Sequence, residues 1–535
     1  MKTISPFLLL FLSIFLNAQC WGEFRSGRQL NANNINTTFF VPDALFWNFQ
    51  DARYEAPKGS NKHSLFCGSI WMGGIDEIGQ LKVAANTYSQ IGHDYFPGPL
   101  NNDGELIENA CENFNVAWEI TSDEVEAFVE SGFEETYLTN NLKNWPGRNN
   151  PLFDMFDLPQ DLDLAPFNDN NSDGVYNPLD GDTPICKGNQ NFWWIFNDIA
   201  ENHTESGGNK LGVQVAAYSY SIIHTSSLNN TTFWEFDVTN KSGLDISDYY
   251  FGFFIDVDLG NFLDDFVGCI PDMNIAYGYN GDDFDDGTAG YGEEIPIVGI
   301  EILEGVKNNE DDAKMSHFIS YFGGFNVQSE PENPTQYYNY LQAKWKDGTP
   351  LVYQGPSGDG YGEGEPTNYM YPDTPTAPQP AWSECSFNHQ PSSRRFLASS
   401  GPGQLNNGTT QSIKMAVYWV SDVPHPCPDV AEYFEESSYW GNTVVNYFDY
   451  ITSSPSIAQN LIQLSPNPAS KQVSINSPQQ AFEQLEIYNA NRQLVQSHKG
   501  FINQLNIENL ANGQYLISFA KNGKRIATQK LVVLR

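Results

Sequence analysis

Leu485-Glu486-Ile487-Tyr488-Asn489-Ala490, then Leu510-Ala511-Asn512-Gly513-Gln514-Tyr515, then Lys530-Leu531-Val532-Val533-Leu534-Arg535: these stretches lie near the end of a 535-residue chain. Around them Val473, Ile475, Leu485, Ile487, Val495, Leu505, Ile507, Leu516, Phe519 and Val532 recur with near-period-2 spacing. That spacing puts alternate side chains on opposite faces of a pleated strand. Asn489-Ala490-Asn491, Asn512-Gly513 and Asn522-Gly523 punctuate the runs, and Asn-Gly takes the positive φ of a type I′ hairpin turn at little cost. The pattern predicts a small antiparallel, Ig-like β-sandwich of about seven strands.

The same tail begins Leu464-Ser465-Pro466-Asn467-Pro468-Ala469-Ser470. With these motifs in order, residues 464–535 resemble the type A sorting domain of the type IX secretion system of Bacteroidota. The resemblance implies recognition by the type IX machinery at the outer membrane, removal of the tail there, and a destination at the cell surface or in the medium. It assigns a route and leaves the passenger's work open.

At the other end, residues 1–19 read as a signal peptide: Lys2 supplies a positive start, residues 7–16 an apolar core, and Asn17-Ala18-Gln19 small residues for cleavage. The apolar run is shorter than the roughly 18 residues of a membrane span, and no later stretch reaches that length, so no transmembrane segment is expected. Residues 20–455 form the passenger, possible as two subdomains, and 456–463 a linker. The tail's net charge of +5 within a chain of −39 leaves −44 for the rest. So acidic a surface repels phosphates and argues against nucleic acid. Divalent cations are its natural counter-ions, or else the acidity serves solubility alone.

The seven cysteines are widely spaced with no C-x-x-C, which argues against a zinc knuckle or redox pair. An exported chain can form disulfides, and proximity suggests Cys385 with Cys427. If Cys20 is lost with the leader, six cysteines remain.

The passenger reads as a large, mainly β sandwich with long loops and a few helices. Strand-like runs rich in aromatic and β-branched residues occupy 211–223, 232–238, 248–255, 317–322 and 413–420. Thr121 and Glu124 have capping-box spacing at a helix start. A second helix spans about 429–447, with a break expected near Gly441. Residues 330–383, rich in Pro, Gly, Tyr and Asn, read as surface loops.

Asp169-Asn170-Asn171-Ser172-Asp173-Gly174-Val175-Tyr176-Asn177-Pro178-Leu179-Asp180 has the oxygen spacing of a calcium loop. Calcium takes six to eight hard oxygen ligands, alternate residues of a tight loop converge on it, and Gly takes the sharp turn. The expected ligands of a structural Ca²⁺ are Asp169, Asn171, Asp173, the Val175 carbonyl and Asp180, with Asp182 as a further carboxylate. Asp180 replaces the long Glu of an EF-hand and Pro178 disfavours a following helix, so the loop resembles those of dockerins and thrombospondin type 3 repeats.

A second candidate is Asp256, Asp258, Asp264 and Asp265, followed by Asp282, Asp283, Asp285 and Asp286, with no Lys or Arg from 256 to 286. Asp256 and Asp258, two apart on a strand, share a face. Such a group can share a cation, supply a carboxylate pair for glycoside hydrolysis, or be a solvated acidic loop.

Motifs for metallopeptidase, α/β-hydrolase, Walker or dinucleotide chemistry are absent. His93 and His203 are the candidates for acid–base work, and no catalytic residues are assigned. Trp193, Trp194, Trp382, Trp419 and Trp440 could stack on sugar rings, though such aromatics mostly fill β cores. Phe253-Phe254-Ile255-Asp256-Val257-Asp258-Leu259-Gly260 and the run from Ser393-Arg394 to Gly401-Pro402 are similar to blocks of secreted Bacteroidota proteins of unassigned function, which implies no activity. The expectation is a calcium-stabilised binding, adhesion or structural protein, with carbohydrate or another cell-surface ligand as partner. The alternative is a secreted polysaccharide hydrolase working through the Asp cluster.

Overall fold

The computed structural model describes residues 20, 26–88, 92–308, 311–324, 326–373, 381–453, 463–465, 469–476, 482–489, 494–521 and 524–535. The signal peptide and most of the linker lie outside them. Two compact units divide the chain, Met1–Gly441 and Asn442–Arg535.

Two antiparallel sheets build the first unit, nine strands each among the described residues. One has Leu65–Asp76, Ile246–Val257, Arg394–Leu405 and His317–Tyr321 as successive neighbours. The other has Ile297–Glu304, Thr410–Val420, Thr231–Asn240, Val213–Ser221 and Gln190–Asn197 in order. All five expected runs are strands, with ends shifted by at most three residues. Their inner faces meet ring to ring: Phe236 of the second sheet lies 5.9 Å from both Phe251 and Phe253 of the first. Strands such as Gln190–Asn197 are buried on both faces, because connecting segments cover the outer side, and such strands read as continuous apolar runs.

One of those covers is the segment expected to be surface loop. Pro334–Leu341 is a helix, and Tyr340, Trp345, Leu351, Met370, Tyr371 and Trp382 are fully buried. The stretch is poor in aliphatic residues, but its aromatics bury as much area as a helix of leucines would. Thr121 caps helix Ser122–Glu130 through a complete capping box with Glu124. Val430–Ser453 runs without a break at Gly441. There the missing side chain makes room for Tyr418, whose hydroxyl would lie 2.0 Å from a Cβ.

The second unit holds a three-stranded and a four-stranded sheet. Val473, Ile475, Leu485, Ile487, Leu505, Ile507, Ile517, Phe519, Leu531 and Val533 fill the space between them. Ile517, Leu531 and Val533 point inward, whereas Leu516 and Val532 are half-buried and Val495 is 41% exposed. A run of consecutive apolar residues leaves strand phase undecided, and pairing to the neighbour fixes it. The Asn522-Gly523 turn lies outside the described residues, but Lys521 pairs with Lys524 across it.

Cys385 bonds Cys427, the pair expected from proximity. Cys20 bonds Cys111.

Candidate functional site

The loop from Asp169 is held by Tyr176, a fully buried ring. Its hydroxyl donates to the Leu142 carbonyl at 2.7 Å, and Gly147 lets the ring pass where a Cβ would come within 2.5 Å. Within the loop, Gly174 has φ +76°, the left-handed turn that glycine takes freely. Asp169 accepts the N–H groups of Ser172 at 2.7 Å and Gly174 at 2.8 Å. Asp173 accepts from Val175 N–H and from the Asn171 amide, at 2.8 and 2.9 Å.

Asp180, the expected position-12 ligand, is exposed and accepts from the Asn177 side chain at 2.7 Å. Asp182 is the carboxylate that sits inside. It is fully buried and accepts the N–H groups of Asn170 and Asn177, both at 2.8 Å. Burial pushes its carboxyl above the usual range, and the negative charges of Asp169 and Asp173 push it further. Among the described residues, no three His, Cys, Asp or Glu side chains stand in metal-holding proximity. The loop's oxygens are spent on its own N–H groups.

The second cluster divides into a buried and an exposed part. Asp282, Asp283 and Asp286 are exposed, whereas Asp256, Asp264, Asp265 and Asp285 are 4%, 7%, 0% and 0% exposed, so a solvated loop does not describe them. Asp256 accepts from the Tyr88 hydroxyl at 2.7 Å and faces Arg395 at 3.5 Å. Arg395 stands directly opposite on the neighbouring strand and also bonds Glu330 at 2.7 Å. Burial raises Asp256 to about 6 despite Arg395, and burial together with Asp256 raises Asp258 to about 8. Asp285, lifted by burial to about 6, accepts the N–H groups of Asn261 and Tyr291 at 3.0 and 2.7 Å. Asp265 is held well above the carboxylate range by burial and by Asp258, with one oxygen on the Leu259 N–H at 3.1 Å.

These groups fall into two sets. Asp256 belongs to an ion-pair network with Tyr88, Arg395 and Glu330. Asp258, Asp264, Asp265 and Asp285 form the other set, each raised by burial. The balancing arginine comes from 139 residues away, which is why a scan from 256 to 286 met no cation.

His203 is buried between Asp94 at 3.7 Å and Asp198 at 3.6 Å. Both of its ring nitrogens also lie against backbone carbonyls, of Val83 at 2.7 Å and Asp198 at 2.8 Å. Asp198 in turn accepts the N–H groups of Leu211, Gly212 and Val213. This is an arrangement for holding a loop, without access for a substrate. Trp193, Trp194, Trp382 and Trp419 are 6% exposed or less, which assigns them to the core; Trp440 alone of the five is half-buried, beside Tyr439.

No curated protein matches the chain. A solved polysaccharide lyase aligns at 11% identity and a TM-score of 0.18, over 60% of this chain. The chain spans about a third of that protein's length (34%). Among the described residues no helix is long and apolar enough to cross a membrane. Residues 463–534 match the secretion system C-terminal sorting domain, so the chain carries a type IX sorting tail and is exported to the cell surface or the extracellular space.

Proposed function

We propose that the body is a binding or structural passenger of the cell surface, braced by one calcium ion in the loop from Asp169 to Asp182. The observation that carries this reading is the buried Asp182 carboxylate beside a loop of calcium-type spacing. The charges of Asp169 and Asp173 both raise it. A divalent cation relieves that repulsion. Asp169, Asn171, Asp173 and Asp182 would hold it, exchanging N–H partners for metal. Its contribution is rigidity where the loop meets the Tyr176 anchor.

Binding is favoured over hydrolysis because Asp256, the best-placed carboxylate, is buried and committed to Tyr88 and Arg395. A glycosidase pair must flank an open cleft. Calorimetric titration of Ca²⁺ into the purified chain tests the loop. The expected Kd is on the order of 10⁻⁴–10⁻³ M, as in extracellular modules. Equal binding heat from an Asp169→Ala/Asp173→Ala double variant, or no saturable heat at all, contradicts it.

A further inference from the structure

A cavity of about 290 Å³ is lined by residues that belong to neither carboxylate group described above. Lys82, Lys210 and Lys241 line it together with Asp76 and Asp103, and Ile199 and Leu244 are among its apolar walls. Apart from the eight cations of the tail, the chain has only 19 Lys and Arg, so three lysines against two aspartates around one cavity run against the chain's overall charge.

Each ammonium is partly tethered. Lys82 pairs with buried Asp76 at 3.3 Å. Lys210 donates to the Ile199 carbonyl at 2.6 Å. Lys241 donates to the Leu100 and Asn101 carbonyls at 2.8 and 3.3 Å. An ammonium has three protons, more than the partners named here take up. Burial lowers Lys241 from its ordinary value, so an anion beside it would regain solvation energy lost on folding.

The walls are fixed. Gly104 has φ +78° and a Cβ there would come within 2.1 Å of the Lys241 carbonyl oxygen; Gly212 has φ +79° and would meet Ser242 at 2.5 Å. Two turns therefore close against the 241–246 segment in a way that only glycine permits. Asp198, backed by His203, holds the 211–213 backbone from behind.

We infer that this cavity binds a single acidic sugar unit, its charged group on the lysines and its hydroxyls toward Asp103. An inorganic anion would use the ammonium groups but leave the carboxylate and the apolar walls without partners. A neutral sugar would bring no counter-charge for Lys210 or Lys241. The volume sits at the small end of ligand sites, which run from roughly 300 to 1,000 Å³. The inference rests on the reading of the body as a binding passenger but not on the calcium loop, so calcium calorimetry and sugar titration can fail separately.

The test is titration of the full chain with D-glucuronate, glucose 6-sulfate, glucose and inorganic sulfate, followed by calorimetry and amide NMR. Saturable binding of glucuronate or glucose 6-sulfate is expected, at least about tenfold tighter than glucose or inorganic sulfate. The Gly104 and Gly212 amides should shift. Lys210→Gln and, separately, Lys82→Gln should each weaken it several-fold while the circular dichroism spectrum is unchanged. Preference for one acidic sugar over the other identifies the charged group recognised. Equal affinity for glucose, equal affinity for inorganic sulfate, or no saturable shift with any probe overturns the assignment.

Discussion

Replacing Asp258 by Asn should make the body more stable at pH 8 and leave it nearly unchanged at pH 4. Asp258 is raised from 3.8 to about 8, first by burial and then by the charge on Asp256. A carboxyl whose folded value is raised gives a fold that is most stable below the unfolded value and loses stability as pH rises through the folded one. The window here is therefore about pH 4 to 8. Each unit is worth about 1.4 kcal/mol, so full ionisation would cost on the order of 5 kcal/mol. Asp258 keeps some contact with solvent, and screening brings the expected gain of Asp258→Asn at pH 8 to about 2–4 kcal/mol. A body of about 420 residues unfolds with an entropy near 0.9 kcal/mol/K, so the melting temperature should rise by about 2–4 °C. The assay is differential scanning calorimetry of both proteins at pH 4, 6 and 8 in EDTA. A gain that grows with pH supports the carboxylate network as drawn. A loss at pH 8, or one constant offset at all three values, refutes it.

Arg394→Met strands the buried Glu384 carboxylate, now bonded to the guanidinium at 2.8 Å, and should cost about 3–5 kcal/mol in denaturant unfolding at neutral pH. Glu384→Gln/Arg394→Met together should recover most of that loss. Replacing Cys385 and Cys427 by Ser opens a 42-residue loop and should cost about 4 kcal/mol by loop-closure entropy, read as a lower denaturation midpoint. Removing residues 464–535 should abolish appearance at the surface and in the medium, seen by immunoblot of fractions, while the body stays folded and accumulates in the periplasm.

The strands and the tail were legible because alternation is local: residues 232–238 and 485–487 carry their own period. The capping box at Thr121 was legible for the same reason. Phase was less so, since the run from Leu531 to Val533 has apolar residues at both parities and only pairing chooses between them. The segment 330–383 was misread because its core contacts come from scattered Trp and Tyr, whose burial no short window displays. At the sites, loop spacing pointed to Asp169 and Asp173 but placed weight on Asp180 where the fold turns Asp182 inward. The partners of Asp256, namely Tyr88 and Arg395, come from two distant segments. The lysine cavity left no motif, because its residues converge only when two glycine turns close on the 241–246 segment.

The calcium brace is tested most directly by the melting temperature of the purified body in 10 mM CaCl₂ against EDTA. With a Kd on the order of 10⁻⁴–10⁻³ M, this concentration adds about 1.4–2.7 kcal/mol, or roughly 1.5–3 °C for a body of this size. The account predicts that rise, and its disappearance in Asp169→Ala/Asp173→Ala. Identical melting with and without calcium would contradict it.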